Sequence, residues 1–241
     1  MKTIYLKTAI MLIIMATAFQ TNAQNTSAAK KAWGGVGYFE SGLVFFNFND
    51  INKAFKNADF PELTTPSISM GGGGHAVIAN FIVGGEGHGY FGAITQNEHY
   101  KVSHGGGYGF FNLGYLVMNT PTTKLYPMVG LGGGSITVSI TDREQIPDSF
   151  DEILTSPARQ SHIYTGGFTM NFSLSSDFFV MGQRSDQVSG GFFVGIRAGY
   201  NLQLSGYNWY LDEQTLSGSP GSGMSGPYIR LTIGGGGISN N

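Results

Sequence analysis

Residues 191–204, GFFVGIRAGYNLQL, alternate between two kinds of side chain along their whole length. The even positions are all apolar, whereas the odd positions are small, polar or charged, apart from Phe193. Successive side chains of a strand point to opposite faces of a sheet. The segment therefore predicts a strand with one apolar face and one polar face, and Arg197 lies on the polar face.

The same alternation returns along the chain in segments long enough to cross a bilayer on a tilt, which takes about 9–11 residues. Bacterial single-chain membrane barrels have an even number of strands, with lipid-facing and lumen-facing residues alternating. We predict an all-β protein, an eight-stranded antiparallel up-and-down transmembrane β-barrel, with the apolar face toward lipid. The predicted strands are 33–48, 67–78, 81–93, 100–118, 124–141, 162–174, 190–204 and 227–238.

The lengths of the links between these segments give a second test of a barrel. The links at 79–80 and 119–123 are short, whereas those at 49–66, 142–161 and 205–226 are long and polar. Small barrels alternate short periplasmic turns with long extracellular loops. Two links depart from this rule, because 94–99 is short for a surface loop and 175–189 is long for a periplasmic turn.

The first 23 residues have the composition of a cleaved secretory signal peptide. Lys2 and Lys7 form a basic start, residues 9–19 are mostly apolar, and small residues precede a cleavage site after Ala23. Residues 24–32 are a polar linker, and 33–241 form a single barrel domain. The sequence has no cysteine, hence no lipid-attachment cysteine and no disulfide. We expect export to the outer membrane of a Gram-negative bacterium.

The charge balance argues against a nucleic-acid partner. Removing 1–23 takes two lysines from 13 basic residues and leaves 11 against 15 acidic ones, a net charge of −4. Nucleic-acid binding needs a basic surface. A nucleotide cofactor is not expected either, since Gly85-Glu86-Gly87-His88-Gly89 lacks the dinucleotide fingerprint and no glycine run leads into Lys-Ser or Lys-Thr.

Glycine is abundant, with 38 residues in 241, and it is interleaved with aromatic residues. Glycine in strands marks bulges, bends or close approach of another backbone. We therefore interpret the runs as structural, relieving crowding in a narrow lumen. In the predicted fifth strand the apolar residues change from odd to even positions across 132–134, which predicts a glycine bulge there.

The polar parity places a set of charged and amide side chains in the lumen. A buried arginine must find a partner, because removing an ion from water is costly. We predict a network from Glu40 and Glu86 to Arg197 and Arg230, with a gated conduit or ligand site as the alternative to a structural role. The predicted lumen set is Glu40, Glu86, His88, Asn112, Arg197 and Arg230, joined by Thr169, Asn171, Asn201, Gln203 and Thr232.

The first long link contains a candidate helix. Ile51, Ala54, Phe55 and Ala58 have the spacing of one helical face, Asn49 or Asp50 is a candidate cap, and Pro61 would end the helix. It is either a structured surface loop or a plug against the barrel mouth.

Aromatic residues cluster near the predicted strand ends, where rings with polar tips favour the membrane interface. We expect the two aromatic girdles from Trp33, Tyr126, Tyr200, Tyr207, Trp209 and Tyr210. Alternatively, Tyr207, Trp209 and Tyr210 form an exposed binding epitope for an unidentified ligand.

The five histidines show no metal-ligand spacing, so we predict no metal site and no assigned catalytic residue. Ser103-His104 and Glu98-His99 supply the residue types of a lipid-modifying enzyme, which stays an alternative.

The strand count, parity and link lengths resemble the small eight-stranded outer-membrane barrels of the OmpA/OmpX-like class. The glycine-plus-aromatic style of Tyr108-Gly109-Phe110-Phe111 resembles exported barrels of Bacteroidota. The resemblance implies outer-membrane lipid and the barrel assembly machinery as partners, and it carries no catalytic residue across. We expect a non-enzymatic barrel with a structural or surface-loop binding role. The alternative is a soluble, secreted, calycin-like barrel that binds a small apolar ligand and has Arg197 and Arg230 outside.

Overall fold

The computed structural model describes residues 31–144, 146–157, 159–206, 208–221 and 223–240. The predicted signal peptide at 1–23 and most of the predicted linker lie outside the described residues. Ala32–Asn241 forms one compact unit. Among the described residues, no helix is long and apolar enough to cross a membrane.

Eight long antiparallel strands form a closed ring, in which each strand pairs with the next long strand along the chain and the last pairs with the first. The wall strands are β1 (Ala32–Val44), β2 (Ser67–Ile78), β3 (Phe81–Phe91), β5 (Tyr100–Tyr115), β7 (Thr123–Asp142), β8 (Gln160–Arg184), β9 (Val188–Gln203) and β12 (Gly226–Asn240). The two-residue strands are β4 (Thr95–Gln96), β6 (Met118–Asn119), β10 (Tyr210–Leu211) and β11 (Gln214–Thr215).

The predicted eight-stranded up-and-down barrel is thus confirmed, and the two irregular links have structural explanations. β8 extends ten residues past its predicted end and β9 begins two residues before its predicted start, so most of the long sixth link is strand and the turn is closed at 185–187, where Ser185 N donates to the carbonyl of Val188. The third link, 92–99, contains β4, which pairs with β5. One end of the barrel therefore carries short turns and the other carries long loops, and we call them the short-turn end and the long-loop end.

The orientation of the wall excludes the soluble alternative. Arg197 and Arg230 are each only 1% exposed and point into the lumen, whereas their neighbours Ile196 and Leu231 are 41% and 67% exposed on the outer face. Apolar side chains on the outer face recur around the ring, on every wall strand. Such an outer surface requires a lipid environment rather than water.

The phase change within β7 is real, but the predicted glycine bulge is wrong. The register of β7 with β5 and with β8 runs without a shift through 132–134. Even positions face inward throughout, so Tyr126 and Ile136 lie on the same face. What changes along β7 is which face carries the apolar residues. Leu131 faces outward among apolar residues, whereas farther toward the long-loop end Thr137 faces outward and the apolar Ile136 packs inside. The register shift that does occur lies between β8 and β9, at Phe179/Met181.

Inward-facing glycines make room for large side chains on neighbouring strands. A Cβ at Gly199 would lie 2.6 Å from the Tyr228 ring, and one at Gly234 would lie 2.5 Å from the Phe193 ring. The lumen is narrow enough that each large ring needs an opposing residue without a side chain. These contacts agree with a structural interpretation of the glycines.

Two short helices lie in loops at the long-loop end. α1 (Asn49–Asn57) is the helix predicted in the first long link, and its Ile51 and Phe55 are buried. Its predicted cap was wrong: the residue at the cap position is Phe48, and no side chain caps the helix. α2 (Phe150–Thr155), in the β7–β8 loop, was not predicted from sequence and buries none of its residues.

Candidate functional site in the lumen and at the long-loop end

Two acids and two arginines from four strands meet in the middle of the lumen. Arg197 lies 3.1 Å from Glu40 and also forms an ion pair with Glu86. Arg230 lies 3.3 Å from Glu40 and 3.4 Å from Glu86. The four side chains, which we call the charge cluster, are buried and their formal charges cancel. The four side chains come together because strand alternation points each of them inward, from β1, β3, β9 and β12.

Tyrosines and hydroxyls complete the coordination of the charge cluster. The Arg230 guanidinium lies 3.8 Å from the centre of the Tyr228 ring, and its Nη2 donates to Tyr108 Oη at 2.9 Å. Arg197 Nε donates to Ser175 Oγ at 2.7 Å, and Thr232 donates to Glu40 Oε1 at 3.0 Å. Buried charges persist only when they are paired and hydrogen-bonded in this way.

Sequence reasoning missed the tyrosines of this site, although a signal for them existed. Tyr38 shares the inward parity of Glu40, and Tyr228 shares that of Arg230. A tyrosine on the lumen parity is a cation–π candidate for a predicted lumen arginine on the same or another strand, and Arg197 lies 4.9 Å from the Tyr38 ring centre.

His88 joins the acids but does not make a convincing metal centre. Ligand atoms of Glu40, Glu86 and His88 lie within 4.8 Å of one another, and they are the group of metal-ligating type found among the described residues. His88 Nε2 lies 3.6 Å from each carboxylate and 3.2 Å from Arg230 Nη1. Both carboxylates already neutralise arginines, so a cation there would leave excess positive charge.

The remaining predicted lumen residues lie inside the barrel. Asn171 bonds to Asn201 at 2.8 Å and to Tyr228 at 3.0 Å. Gln203 donates to the carbonyl of Gly206 at 2.6 Å. Thr169 and Asn112 are buried as well.

Apolar side chains close the lumen at the long-loop end. α1 contributes Ile51 and Phe55, the chain after β1 contributes Phe46 and Phe48, and Trp209 enters from the β9–β12 loop. We call this cluster the cap. It rests on a polar layer in which Ser67 Oγ lies 2.9 Å from His104 Nε2 and Ser69 bonds to Tyr108 at 2.8 Å. The structure therefore favours a plug over a loop that stands free of the mouth.

The predicted aromatic epitope and girdles need correction. Trp209 is 1% exposed because its ring completes the cap, and its indole Nε1 donates to the carbonyl of Pro220 at 3.0 Å. It is therefore not an exposed binding residue. Tyr210 is half-buried and stacks on Tyr164, and Tyr207 lies outside the described residues.

Of the other predicted girdle residues, Tyr126 faces the lumen, where it donates to Asp177 at 2.6 Å. Trp33 and Tyr200 do face outward.

The β7–β8 loop presents apolar side chains that the sequence pattern did not indicate. In α2, Phe150, Ile153 and Leu154 are 74%, 47% and 69% exposed. Their spacing of i, i+3 and i+4 puts them on one helical face. Ser149 caps the helix start, with Glu152 N donating to Ser149 Oγ, and the Glu152 carboxylate accepts from Asp148 N, one residue before the cap. This Ser-x-x-Glu motif is the signal that would have found the helix.

The residues proposed for a lipid-modifying enzyme are not brought together. Ser103 and His104 are adjacent in β5 and so face opposite sides of the wall. His99 pairs instead with Glu144, at 2.7 Å. His162 lies 2.9 Å from Ser139 on the exposed surface.

A closed eight-stranded ring with an apolar outer face, a polar lumen, short turns at one end and long loops at the other has the architecture of a small transmembrane β-barrel. Among solved structures, the chain is similar to Ail, the attachment invasion locus protein of Yersinia pestis, with 10% identity and a TM-score of 0.41, covering 87% of this chain and 98% of that one. A second Ail structure, in complex with the heparin analogue sucrose octasulfate, gives 11% identity and a TM-score of 0.38 with the same coverage.

The outer membrane protease OmpT of Escherichia coli gives 8% identity and a TM-score of 0.29, covering 92% of this chain and all of that one. At such scores these likenesses carry no functional argument. No protein-family model and no curated protein matches this chain.

Proposed function

We propose that the protein is exported to the outer membrane and forms a closed, non-catalytic barrel that presents the β7–β8 loop to a protein partner at the cell surface. The basic and apolar composition of residues 1–23 supports export, and mass spectrometry of the mature chain should then find Gln24 as its first residue. Long loops of this class lie outside the cell, which favours the long-loop end as the exposed one.

The filled lumen supports a barrel that does not conduct. The charge cluster occupies its middle, the cap covers the long-loop end, and apolar residues that include Val77 and Ile82 fill the short-turn end. Purified protein in planar bilayers should give no discrete conductance steps. Stable, uniform steps from the folded, heat-modifiable form would contradict a closed barrel.

The exposed apolar face of α2 is the observation that carries the binding role. An apolar helical face with no covering element marks an interaction surface, and helices with this spacing dock into apolar grooves. Its neighbours Glu144, Asp148, Asp151 and Glu152 are acidic and exposed. The proposed partner is therefore a protein with an apolar groove bordered by basic residues.

Site-specific photocrosslinking in intact cells tests this role. A benzoylphenylalanine at Phe150 should give one discrete adduct of higher mass with a cell-surface or medium protein, and Asp151→Lys should reduce its yield. The same probe at Phe55, which is buried in the cap, is the matched control. Equal adduct yields at the two positions would rule out α2 as the contact.

A further inference from the structure

A pocket of about 490 Å³ lies on the outer face of the wall at the long-loop end. Phe91 at the end of β3 and Ile94 in the following link border it, and both are more than half exposed. Its floor is the outer face of β5 and β7, from which Ser103, Thr137 and Ser139 point outward. We call it the wall pocket. Its volume lies within the range of small-molecule sites, about 300–1,000 Å³.

Strand register arranges the outward side chains of the wall pocket in two adjacent rows. In one row Ser103 is the direct partner of Ser139, so their hydroxyls are cross-strand neighbours. In the other row Phe91, Gly105 and Thr137 are successive partners across β3, β5 and β7. Because Gly105 has no side chain, the space between the Phe91 ring and the Thr137 hydroxyl stays open over two strand spacings, about 10 Å.

The lining of the wall pocket combines an aromatic face with uncharged hydroxyls. Ser139 Oγ lies 2.9 Å from His162 Nδ1, whereas the hydroxyls of Ser103 and Thr137 bond to no other described residue. No acidic, lysine or arginine side chain is among the residues that line the pocket, and the His104 ring faces the lumen instead. A bound phosphate would need a cationic partner, which this lining does not supply.

A neutral saccharide ring matches this lining. Its C–H face is apolar and packs on an aromatic ring, while its hydroxyl groups exchange hydrogen bonds with serine and threonine, which both donate and accept.

The wall pocket lies beyond the apolar part of the outer face. Along β7 the outward side chains carry hydroxyls from Ser135 to Thr141, whereas Leu131, closer to the middle of the barrel, is apolar. Lipid-facing bands of such barrels are apolar, so the pocket faces the polar layer outside the acyl chains. Sugars reach that layer both as free glycans and as the headgroups of glycolipids.

We propose that the wall pocket binds a neutral saccharide, with one sugar ring stacked on Phe91 and bonded to the hydroxyls of Ser103 and Thr137. The inference is independent of the α2 contact, because the two involve different residues.

Methyl NMR of the mature chain in dodecylphosphocholine micelles tests the site, with maltose, lactose and N-acetylglucosamine as three neutral probes. At least one probe should give saturable shifts of the Ile94 and Thr137 methyl signals, with a midpoint of about 1–10 mM for a few hydrogen bonds and one ring contact. The methyl signals of Ile229, an exposed outward isoleucine of β12, should not move. Dodecyl maltoside carries the same disaccharide as maltose on an alkyl chain. Saturable shifts from free maltose indicate a free glycan, whereas shifts from dodecyl maltoside alone that Thr137→Val abolishes indicate a lipid-linked sugar.

Two matched pairs of variants locate the contacts, with the Ile94 methyl signal as the readout and the heat-modifiable gel shift as the test of folding. Thr137→Val exchanges a hydroxyl for a methyl group and should raise the midpoint about fivefold, the effect of one lost hydrogen bond. Thr141→Val makes the same change at an outward position of β7 that does not line the pocket, and it should bind like the parent. Phe91→Leu should also weaken binding, whereas Phe168→Leu, at an outward phenylalanine of β8, should not.

Three results would overturn the proposal. The first is the absence of saturable shifts with all three sugars and with dodecyl maltoside. The second is an equal midpoint in Thr137→Val and Thr141→Val. The third is the same set of shifts with inorganic phosphate, which would indicate an anion site.

Discussion

Along β7, the middle of the barrel and the long-loop end have opposite polarity. In the middle, apolar residues such as Leu131 and Leu231 face outward and the charge cluster faces inward. At the long-loop end of β7, Thr137 and Ser139 face outward while Ile136 and Val138 join the cap. Strand parity is constant between the two regions. The comparison shows that the medium outside the wall determines which parity is apolar.

The cap and the charge cluster are consequently stabilised by different interactions. The cap is an ordinary apolar core, in which burial from water provides the stabilisation. The charge cluster has to compensate the desolvation of four ions through geometry, because one missing partner leaves an unbalanced charge. The two regions should therefore respond differently to single substitutions.

Arg230→Leu is expected to have the largest effect. It leaves Glu40 and Glu86 facing Arg197 alone and removes the stacking on Tyr228, so we expect a loss of about 4 kcal/mol in the free energy of unfolding. Urea unfolding in detergent micelles, followed by the gel shift of the folded form, measures it. Adding Glu40→Gln restores neutrality and should recover part of the loss; full stability of the single variant would contradict a structural cluster.

The sequence predicts the ring and the placement of the charges because the alternation of inward and outward side chains is a local property of every strand. Glu40, Glu86, Arg197 and Arg230 all follow from parity plus closure of the ring. The corrected residues depend on information that alternation lacks. Tyr126 faces the lumen because its parity matches Lys124 and Met128, yet its aromatic type favoured the girdle. Trp209 lies in a loop, whose packing into the cap no periodicity encodes.

Trp209→Ala tests the apolar half of the comparison. Removing a fully buried indole from a core typically costs about 3 kcal/mol, and here the loss should fall on the cap alone. Limited proteolysis should then cleave near α1 faster, while the folded barrel keeps its gel mobility. Tyr210→Ala is the control, because Tyr210 is half-buried. Loss of the barrel itself would show that cap and wall fold as one unit.

A charge moved along the outside of β7 locates the boundary between the two regions. Leu131→Arg puts a guanidinium among lipid-facing residues and should cost about 2 kcal/mol, whereas Thr137→Arg should cost less than about 1 kcal/mol. Both side chains face outward on one strand, so parity is matched. Unfolding from lipid vesicles in urea compares them. Equal costs would place both positions in the same medium and remove the polarity inversion.

The smallest expected difference concerns glycines on the two faces of the wall. Gly199→Ala pushes a methyl group against the Tyr228 ring, which stacks on Arg230, and should cost about 1 kcal/mol. Gly87→Ala adds the same methyl on the outer face, where nothing lies within 4 Å, and should leave stability within about 0.5 kcal/mol of the parent. Urea midpoints in micelles resolve the pair. Both changes add one carbon to a strand glycine, so the difference between their urea midpoints measures crowding in the lumen rather than intrinsic strand preference. Equal midpoints would mean that the packing of Tyr228 against Arg230 does not need a glycine at position 199.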